Sequence, residues 1–466
     1  MRTLALLAAA ISLAACSVGP RYSAPSAELP AQWAAAAPSG QALNPAWWRE
    51  LGDAQLASLV ERAASANLDA ASAANRLAQS RALLRVAGAE QLPGVAAHGA
   101  YQRQRNSAEG LNDPSGYQGR APFELWSASL DTSWEVDLWG RVRHSLDAAQ
   151  AQLALTQAER DGVLLAVAAE TASDYVQLRG VQAQQAVTEQ NLAIARQSLA
   201  LTRSRFDNGV TTHLDVANAA AQVATVEARL APLQAQQARL GNALSFMLGQ
   251  APGSLAGELN TPKPVPQPRA EVPLGVPSEL AHRRPDILRS EAALRRATAA
   301  VGMAEADFYP RLTLGASFGY QALEGSNLGD WGARDWAYGP SLYLPVFQGG
   351  RLTGTLALRE QQQQAAAIDY RRTVLAAWHE VADALSDYAA EQRHAQALAE
   401  AVGQNQQALD AAGQRYREGA IDFLNVLNVQ RALLDTQSAQ VASATQAALA
   451  RVRLYKALAG GWPAAS

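Results

Sequence analysis

Cysteine occurs once in the 466 residues, so no intrachain disulfide can form and the fold must be held by packing. Cations are in no surplus either. Lys and Arg number 39 against 42 Asp and Glu, a formal net charge of -3, which leaves no reserve for displacing counterions from nucleic-acid phosphates. A nucleic-acid partner is therefore not expected. The six His residues are scattered without HExxH or other ligand spacing, so no metal site is expected. No nucleophile elbow, phosphate loop or pair of catalytic carboxylates can be placed on a turn or strand end, and the chain does not read as an enzyme. The apolar run from Leu4 to Ala15, preceded by Arg2, is too short to span a membrane as mature structure and has the form of a secretory signal.

That run closes on Leu13-Ala14-Ala15-Cys16, so residues 1–15 are expected to be a signal peptide. The lone cysteine stands where a bacterial lipoprotein is cleaved and acylated. Acyl chains add roughly 0.8 kcal/mol per buried methylene, so a multiply acylated Cys16, palmitate included, would hold the mature chain at a membrane. Ser17 follows rather than aspartate, which by the usual sorting pattern directs it to the outer membrane of a Gram-negative cell. The covalent lipid is the only non-protein group expected.

What the chain has in quantity is helical sequence, arranged as one unit carried twice. Arg205-Phe206-Asp207-Asn208-Gly209 is echoed by Arg415-Tyr416-Arg417-Glu418-Gly419, and Leu214-Asp215-Val216 and Leu424-Asn425-Val426 follow at the same distance. A glycine after a long periodic run takes the left-handed conformation that ends a helix, so both sites read as closed ends of helical hairpins.

In chain order, a lipidated extended segment (16–52) precedes a first repeat (53–250). That repeat opens with a helix predicted from Asp53 to Glu90, ended by Pro93. From Val95 to Arg103 and from Leu125 to Trp139 the period becomes alternating. In the second stretch Trp126, Ala128, Leu130, Trp134, Val136 and Leu138 point one way and Ser127, Ser129, Asp131, Ser133, Glu135 and Asp137 the other. Strands of this length with an apolar and a wet face suit a transmembrane β-barrel. Asn106 to Pro122 is then an exposed loop.

A proline-free run from Arg141 to Phe206 makes a helix about 100 Å long at 1.5 Å per residue. Two seams, Leu192-Leu199-Phe206 and Val187-Ile194-Leu201, lie on opposite flanks, which places the helix in a cylinder with neighbours on both sides. The return helix carries Val216, Ala219, Val223, Val226, Leu230, Leu233, Gln237, Leu240, Leu244 and Met247 on one stripe, with a kink expected at Pro232. A Pro-rich linker (251–277) separates the second repeat (278–460), in which strands are predicted at Leu312 to Gln321 and Trp336 to Phe347. A second long helix follows to Tyr416, then a last helix to about Ala459, and 461–466 is a tail. Val402, Leu409 and Tyr416 keep the first seam, while Ala397, Gln404 and Ala411 have largely lost the second.

Four strands cannot close a membrane barrel, since single-chain bacterial barrels start at eight and open edges are not tolerated in lipid. The chain must assemble. Three copies would give twelve strands, although two or four would also close.

The order of motifs resembles the outer-membrane factor family of efflux systems, the TolC-like exit ducts, and most closely their RND-type lipoprotein branch. The motifs are Cys16-Ser17-Val18-Gly19-Pro20, Asn67-Leu68-Asp69, Asp137-Leu138-Trp139-Gly140-Arg141, Val276-Pro277-Ser278-Glu279-Leu280, Arg283-Arg284-Pro285-Asp286-Ile287 and the two hairpin pentapeptides. The resemblance implies a mainly α fold with membrane β: a homotrimer with a 12-stranded β-barrel and a long periplasmic α-helical barrel. It further implies a periplasmic adaptor (membrane fusion protein) and an inner-membrane pump of RND type as partners, with small-molecule cargo passing through the lumen.

Since the family's hairpin ends form the periplasmic entrance, Arg205, Phe206, Gly209, Arg415, Tyr416 and Gly419 are the expected adaptor-docking residues. Asp207, Asp215, Glu418, Asp422 and Asn425 are candidates for a gate, because like charges converging at a narrow mouth resist joint ionisation and attract cations. Asp215 ranks first because it recurs as polar Asn425. Asp131, Glu135 and Asp137 are expected to wet the barrel lumen. The competing reading is a lipid-anchored helical scaffold or adhesin without a pore, which leaves the alternating strands unexplained.

Overall fold

The computed structural model describes residues 17–24, 44–107, 109, 121–266, 272 and 283–459. The signal peptide, Cys16, the motif Val276 to Leu280 and the tail 461–466 lie outside the described residues, as do most of the loop 106–122 and part of the linker 251–277. Two units divide the chain, one from residues 1–25, 77–156 and 290–370, the other from residues 26–76, 157–289 and 371–466.

The first unit holds a four-stranded antiparallel sheet of β1 (Gly94–Gln104), β2 (Phe123–Val136), β3 (Arg311–Ala322) and β4 (Arg334–Tyr343), in that order. The two predicted strand pairs thus join into one sheet through β2 and β3. β2 ends at Val136, not Trp139, because Asp137 turns the chain into the next helix. β4 ends at Tyr343, not Phe347, just before Pro345, which has no N–H for a ladder.

The helix predicted from Asp53 to Glu90 is two helices, α1 (Ala54–Ala66) and α2 (Leu68–Ala89). Asn67 stands between them with φ -66 and ψ 133. Its Oδ1 accepts from the amides of Asp69 at 2.9 Å and Ala70 at 3.1 Å, offering α2 a cap in place of continued helix. Its Nδ2 donates to the Met247 carbonyl at 3.1 Å, so the break also ties the start of the first repeat to its end.

α3 (Arg141–Asp207) and α8 (Arg351–Arg417) are 67 residues each, and both contribute to the two units. After α3 come α4 (His213–Ala228) and α5 (Leu230–Met247), then the short α6 (Ala256–Leu259) and α7 (Pro285–Ala306). α9 (Phe423–Ala457) follows α8. The interruption falls at Arg229 rather than at Pro232 itself, because the proline ring excludes the carbonyl four residues earlier, that of Ala228. All ten positions of the stripe from Val216 to Met247 are buried or half-buried.

In the second unit, Leu409, Ala412 and Tyr416 of α8 pack with Phe423, Val426, Leu427 and Leu433 of α9 and Ala219 of α4, with Ile194 and Leu199 of α3 against them. Polar ties alternate with this apolar contact along α3 and α9: Gln430 donates to Ser198 at 2.6 Å, Asn191 to Gln437 at 2.7 Å and Gln184 to Ser438 at 2.8 Å. Further along α3, the fully buried Arg179 donates to the Thr261 carbonyl at 2.9 Å and to Gln55 at 2.7 Å, which fixes the linker and α1 against that helix.

Candidate functional site: the sheet face and the hairpin tips

Residues opposite one another in a ladder share a face, so the registers extend the alternation of β2 across the whole sheet. Leu130 faces Ala97 and Phe318, and Phe318 faces Trp336. Trp134 faces Leu314, which faces Pro340, and Val136 faces Leu312, which faces Leu342. Tyr101 lies opposite Trp126 with ring centroids 4.5 Å apart. In the single chain this apolar face is uncovered: Phe318 is 50% exposed, Trp336 59% and Tyr338 78%. Among the described residues, β1 and β4 each have one ladder partner, so both edges are unpaired within the chain.

The opposite face carries Ser127, Ser129, Asp131, Ser133 and Glu135 of β2 beside Thr313, Ser317 and Gln321 of β3. Asp131 accepts from Ser129 Oγ at 2.8 Å and lies 3.7 Å from His98 Nε2. Glu135 is engaged by Arg141 through two bonds of 2.8 and 2.7 Å. Asp137 is beyond the strand. Its carboxylate accepts from the amides of Val142 at 3.1 Å and Arg143 at 2.9 Å and so caps the start of α3. Of the three acids read as lining a lumen, Asp131 and Glu135 stand on the polar face of β2, whereas Asp137 lies past its end.

The hairpin ends are built alike in both repeats. Gly209 has φ 73, its amide donates to the Phe206 carbonyl at 2.9 Å, and the Val210 amide reaches the Arg205 carbonyl at 2.8 Å. Gly419 has φ 77, with the matching bonds from Gly419 to Tyr416 at 3.0 Å and from Ala420 to Arg415 at 2.9 Å. Both are Schellman ends. The two tips touch through Arg205, which donates to the carbonyls of Tyr416 at 3.0 Å and Arg417 at 3.3 Å. Tyr416 is buried against Phe423, centroids 5.6 Å apart, whereas Arg415 is exposed and Phe206 is 40% exposed beside His213.

The gate candidates separate by their local ties. Asp215 is the third residue of a capping box: it accepts from Thr211 Oγ1 at 2.6 Å and from the Thr212 hydroxyl and amide at 2.7 and 3.1 Å. The Thr211 bond, followed by those from Thr212, holds its carboxyl below the usual range. Glu418 accepts from Gln414 at 3.3 Å, and Asp207 is exposed. Asp422 begins α9 without a side-chain cap bond, and the Asn425 amide donates to its carbonyl at 3.1 Å. The box Thr212-His213-Leu214-Asp215 is a sequence signal for the cap that the repeat comparison alone passes over. Apolar side chains are exposed at the tips: Val210 at 60%, Leu214 at 67% and Leu424 at 56%, the last two at the equivalent places that the repeat comparison aligns.

Residues 59–250 and 276–460 match the family model described as outer membrane efflux protein. A pyoverdine export outer membrane protein, OpmQ of Pseudomonas putida, is 34% identical over 474 residues, covering 100% of this chain and 98% of the relative. The toluene efflux pump outer membrane protein TtgC of Pseudomonas putida is 32% identical over 472 residues, 98% of this chain and 95% of the relative. Among solved structures, the outer-membrane channel OprN superposes with a TM-score of 0.89 at 33% identity, covering 96% of this chain and 100% of that one.

Proposed function

Because the chain belongs to the outer membrane efflux protein family, we propose that it is the outer-membrane channel of a tripartite efflux system, a passive homotrimeric exit duct docked on a periplasmic adaptor and an inner-membrane RND pump. The observation that carries this reading is a sheet with one predominantly apolar face and two unpaired edges, joined in a single chain to helices of 67 residues. Lipid does not tolerate unpaired strand edges, and three copies close a ring of twelve strands. The apolar face then meets lipid and the face bearing Asp131 meets the bore. The long helices continue the bore through the periplasm.

The two Schellman ends are the adaptor-docking tips in this reading, with Arg205, Phe206, Arg415 and the exposed Val210, Leu214 and Leu424 as the contact set. The repetition of tip geometry in both repeats supports it, since three chains then present six similar tips. Asp207, Glu418 and Asp422 are the better candidates for a charged gate, as Asp215 is engaged in its own cap. Acylation of Cys16 anchors the mature chain, and the duct performs no chemistry. One relative is named for pyoverdine export and another for toluene efflux, and in this reading the choice of small-molecule cargo is made elsewhere in the assembly.

Single-channel recording of the purified protein in a planar bilayer, with its mass measured in detergent, tests the proposal. A trimer that conducts is expected. A monomer, or a trimer that leaves the bilayer silent, would favour the lipid-anchored scaffold.

A further inference from the structure

The motif Ser17-Val18-Gly19-Pro20 and its neighbour Tyr22 belong neither to the sheet nor to the hairpin tips, yet the contacts they make are specific. His144, 9% exposed near the start of α3, has its Nε2 2.8 Å from the Val18 carbonyl and 3.1 Å from Ser17 Oγ. A carbonyl only accepts, so Nε2 carries the proton and donates to it. The Val18 amide in turn donates to the Trp139 carbonyl at 3.1 Å. Trp139 itself donates to the Pro310 carbonyl at 2.8 Å and stacks on Tyr309, so the segment is tied to the place where β2 leaves and β3 enters the sheet.

The groove is cut to fit. A Cβ on Gly302 of α7 would lie 2.6 Å from His144 Nε2, and one on Gly19, whose φ is +98, would lie 2.7 Å from the Gly302 Cα. Gly19 is therefore required by conformation and by space. Pro20 fixes the backbone that follows. Tyr22 donates to Glu291 at 2.8 Å, and its ring lies under the Arg295 guanidinium at 4.8 Å.

We propose that Ser17 to Tyr22 is a docking signal read by the foot of the sheet, with His144 as the positioning residue that holds it. Two residues of extended chain span at most about 7 Å, which bounds how far an acylated residue 16 can stand from Val18. The lipid is thereby delivered to one fixed place at the foot of the strands that must enter the bilayer, rather than at the end of a free tether. This consequence rests on the reading of Cys16 as the acylated residue; the docking does not.

Arg21 supplies the probe, because its exposed side chain is a trypsin site within the docked segment. Trimers of the full chain are isolated in detergent, treated with trypsin and followed by mass spectrometry. The wild type is expected to resist cleavage after Arg21. His144→Ala is expected to accelerate it about tenfold, the order of effect that losing a buried hydrogen bond has on a local opening equilibrium. His144→Gln, whose amide can donate to the same carbonyl, is expected to restore most of the protection. Gly19→Ala alters only the segment itself, so the body of the trimer stays folded, and cleavage there is expected to reach the rate of a free peptide. Cys16→Ser, exported behind an unrelated signal, is expected to remain protected. Cleavage of the wild type as fast as Gly19→Ala would overturn the docking, as would full protection of both His144→Ala and Gly19→Ala. Protection of a wild type that carries no acyl mass would overturn the lipid reading alone.

Discussion

The Arg205 guanidinium lies over the Tyr416 ring, 4.7 Å from its centroid, while donating to the carbonyl of the same residue. One side chain from the first hairpin thus closes on the turn of the second, where helix-end carbonyls have spare acceptor capacity. Arg205→Ala removes the stack and both bonds, which is expected to lower stability by about 1–3 kcal/mol. The amides of Gly419 and Ala420 should then exchange faster in hydrogen-exchange experiments, and leak current should rise as the tips part. Arg205→Lys keeps the charge but lacks the planar fork, so it should recover only part of either effect. Unaltered exchange in Arg205→Ala would remove the tie between the tips.

Asp215 is expected to matter through its cap. Its folded pKa is depressed, chiefly by the Thr211 hydroxyl, so the stabilisation is fully present above the ordinary carboxylate value and lost as pH falls through the folded one. Asp215→Ala should lower stability near neutral pH by about 0.5–2 kcal/mol. Chemical denaturation of both proteins over a pH series checks this, and the gap between them should close in acid. A gap that persists at low pH would mean that the carboxylate acts by something other than its charge.

Asp422 offers the contrast. It begins α9 without a side-chain cap bond, so Asp422→Ala should leave the denaturation midpoint nearly where it was. If the acid belongs to a charged gate, the same variant should raise leak conductance, and Asp422→Asn should do so as well. Normal current in both variants would count against the gate.

The two faces of the sheet make opposite demands on a new charge. Phe318 lies in the apolar row between Leu130 and Trp336, and Ser317 lies on the other face opposite Asp131. An arginine on the lipid face near mid-membrane costs roughly 2–4 kcal/mol, whereas one in the lumen stays hydrated. Phe318→Arg should therefore deplete trimers from the outer membrane. Ser317→Arg should assemble and shift the ion preference of the current toward anions. Equal assembly of the two would contradict the assignment of faces.

These outcomes also mark what can be read from the chain alone. Alternation in β2 is legible because its period is two and its apolar residues are large. The stripe from Val216 to Met247 is legible because small and aliphatic residues recur at heptad spacing. The break at Asn67 is not, since a side chain competing with the helix for two amides leaves no trace in the apolar pattern. The bond from Arg205 to Tyr416 joins residues 211 apart, and only the packing of α3 beside α8 and α9 brings them together. Asp137 reads as one more residue of the polar face because alternation in the sequence runs past the true end of β2, where helix capping takes over.

Asp174 on α3 is a residue that no pattern in the chain singles out. Only 7% of it is exposed, and burial first, then the charge of Glu170 one turn earlier, push its carboxyl up to about 7. The raised value means that the folded chain favours the protonated acid. Its contribution is fully present below the ordinary carboxylate value and is lost as pH rises through about 7, so stability should decline across that window. Asp174→Asn keeps the shape without the titration. Its thermal midpoint should match the wild type near the ordinary carboxylate value, about pH 4, rise progressively above it as pH climbs, and stay level above it beyond about 7. Glu170→Gln should give a smaller gain in the same direction. Parallel curves for Asp174→Asn and the wild type would mean that the folded trimer does not hold this carboxyl above its ordinary range.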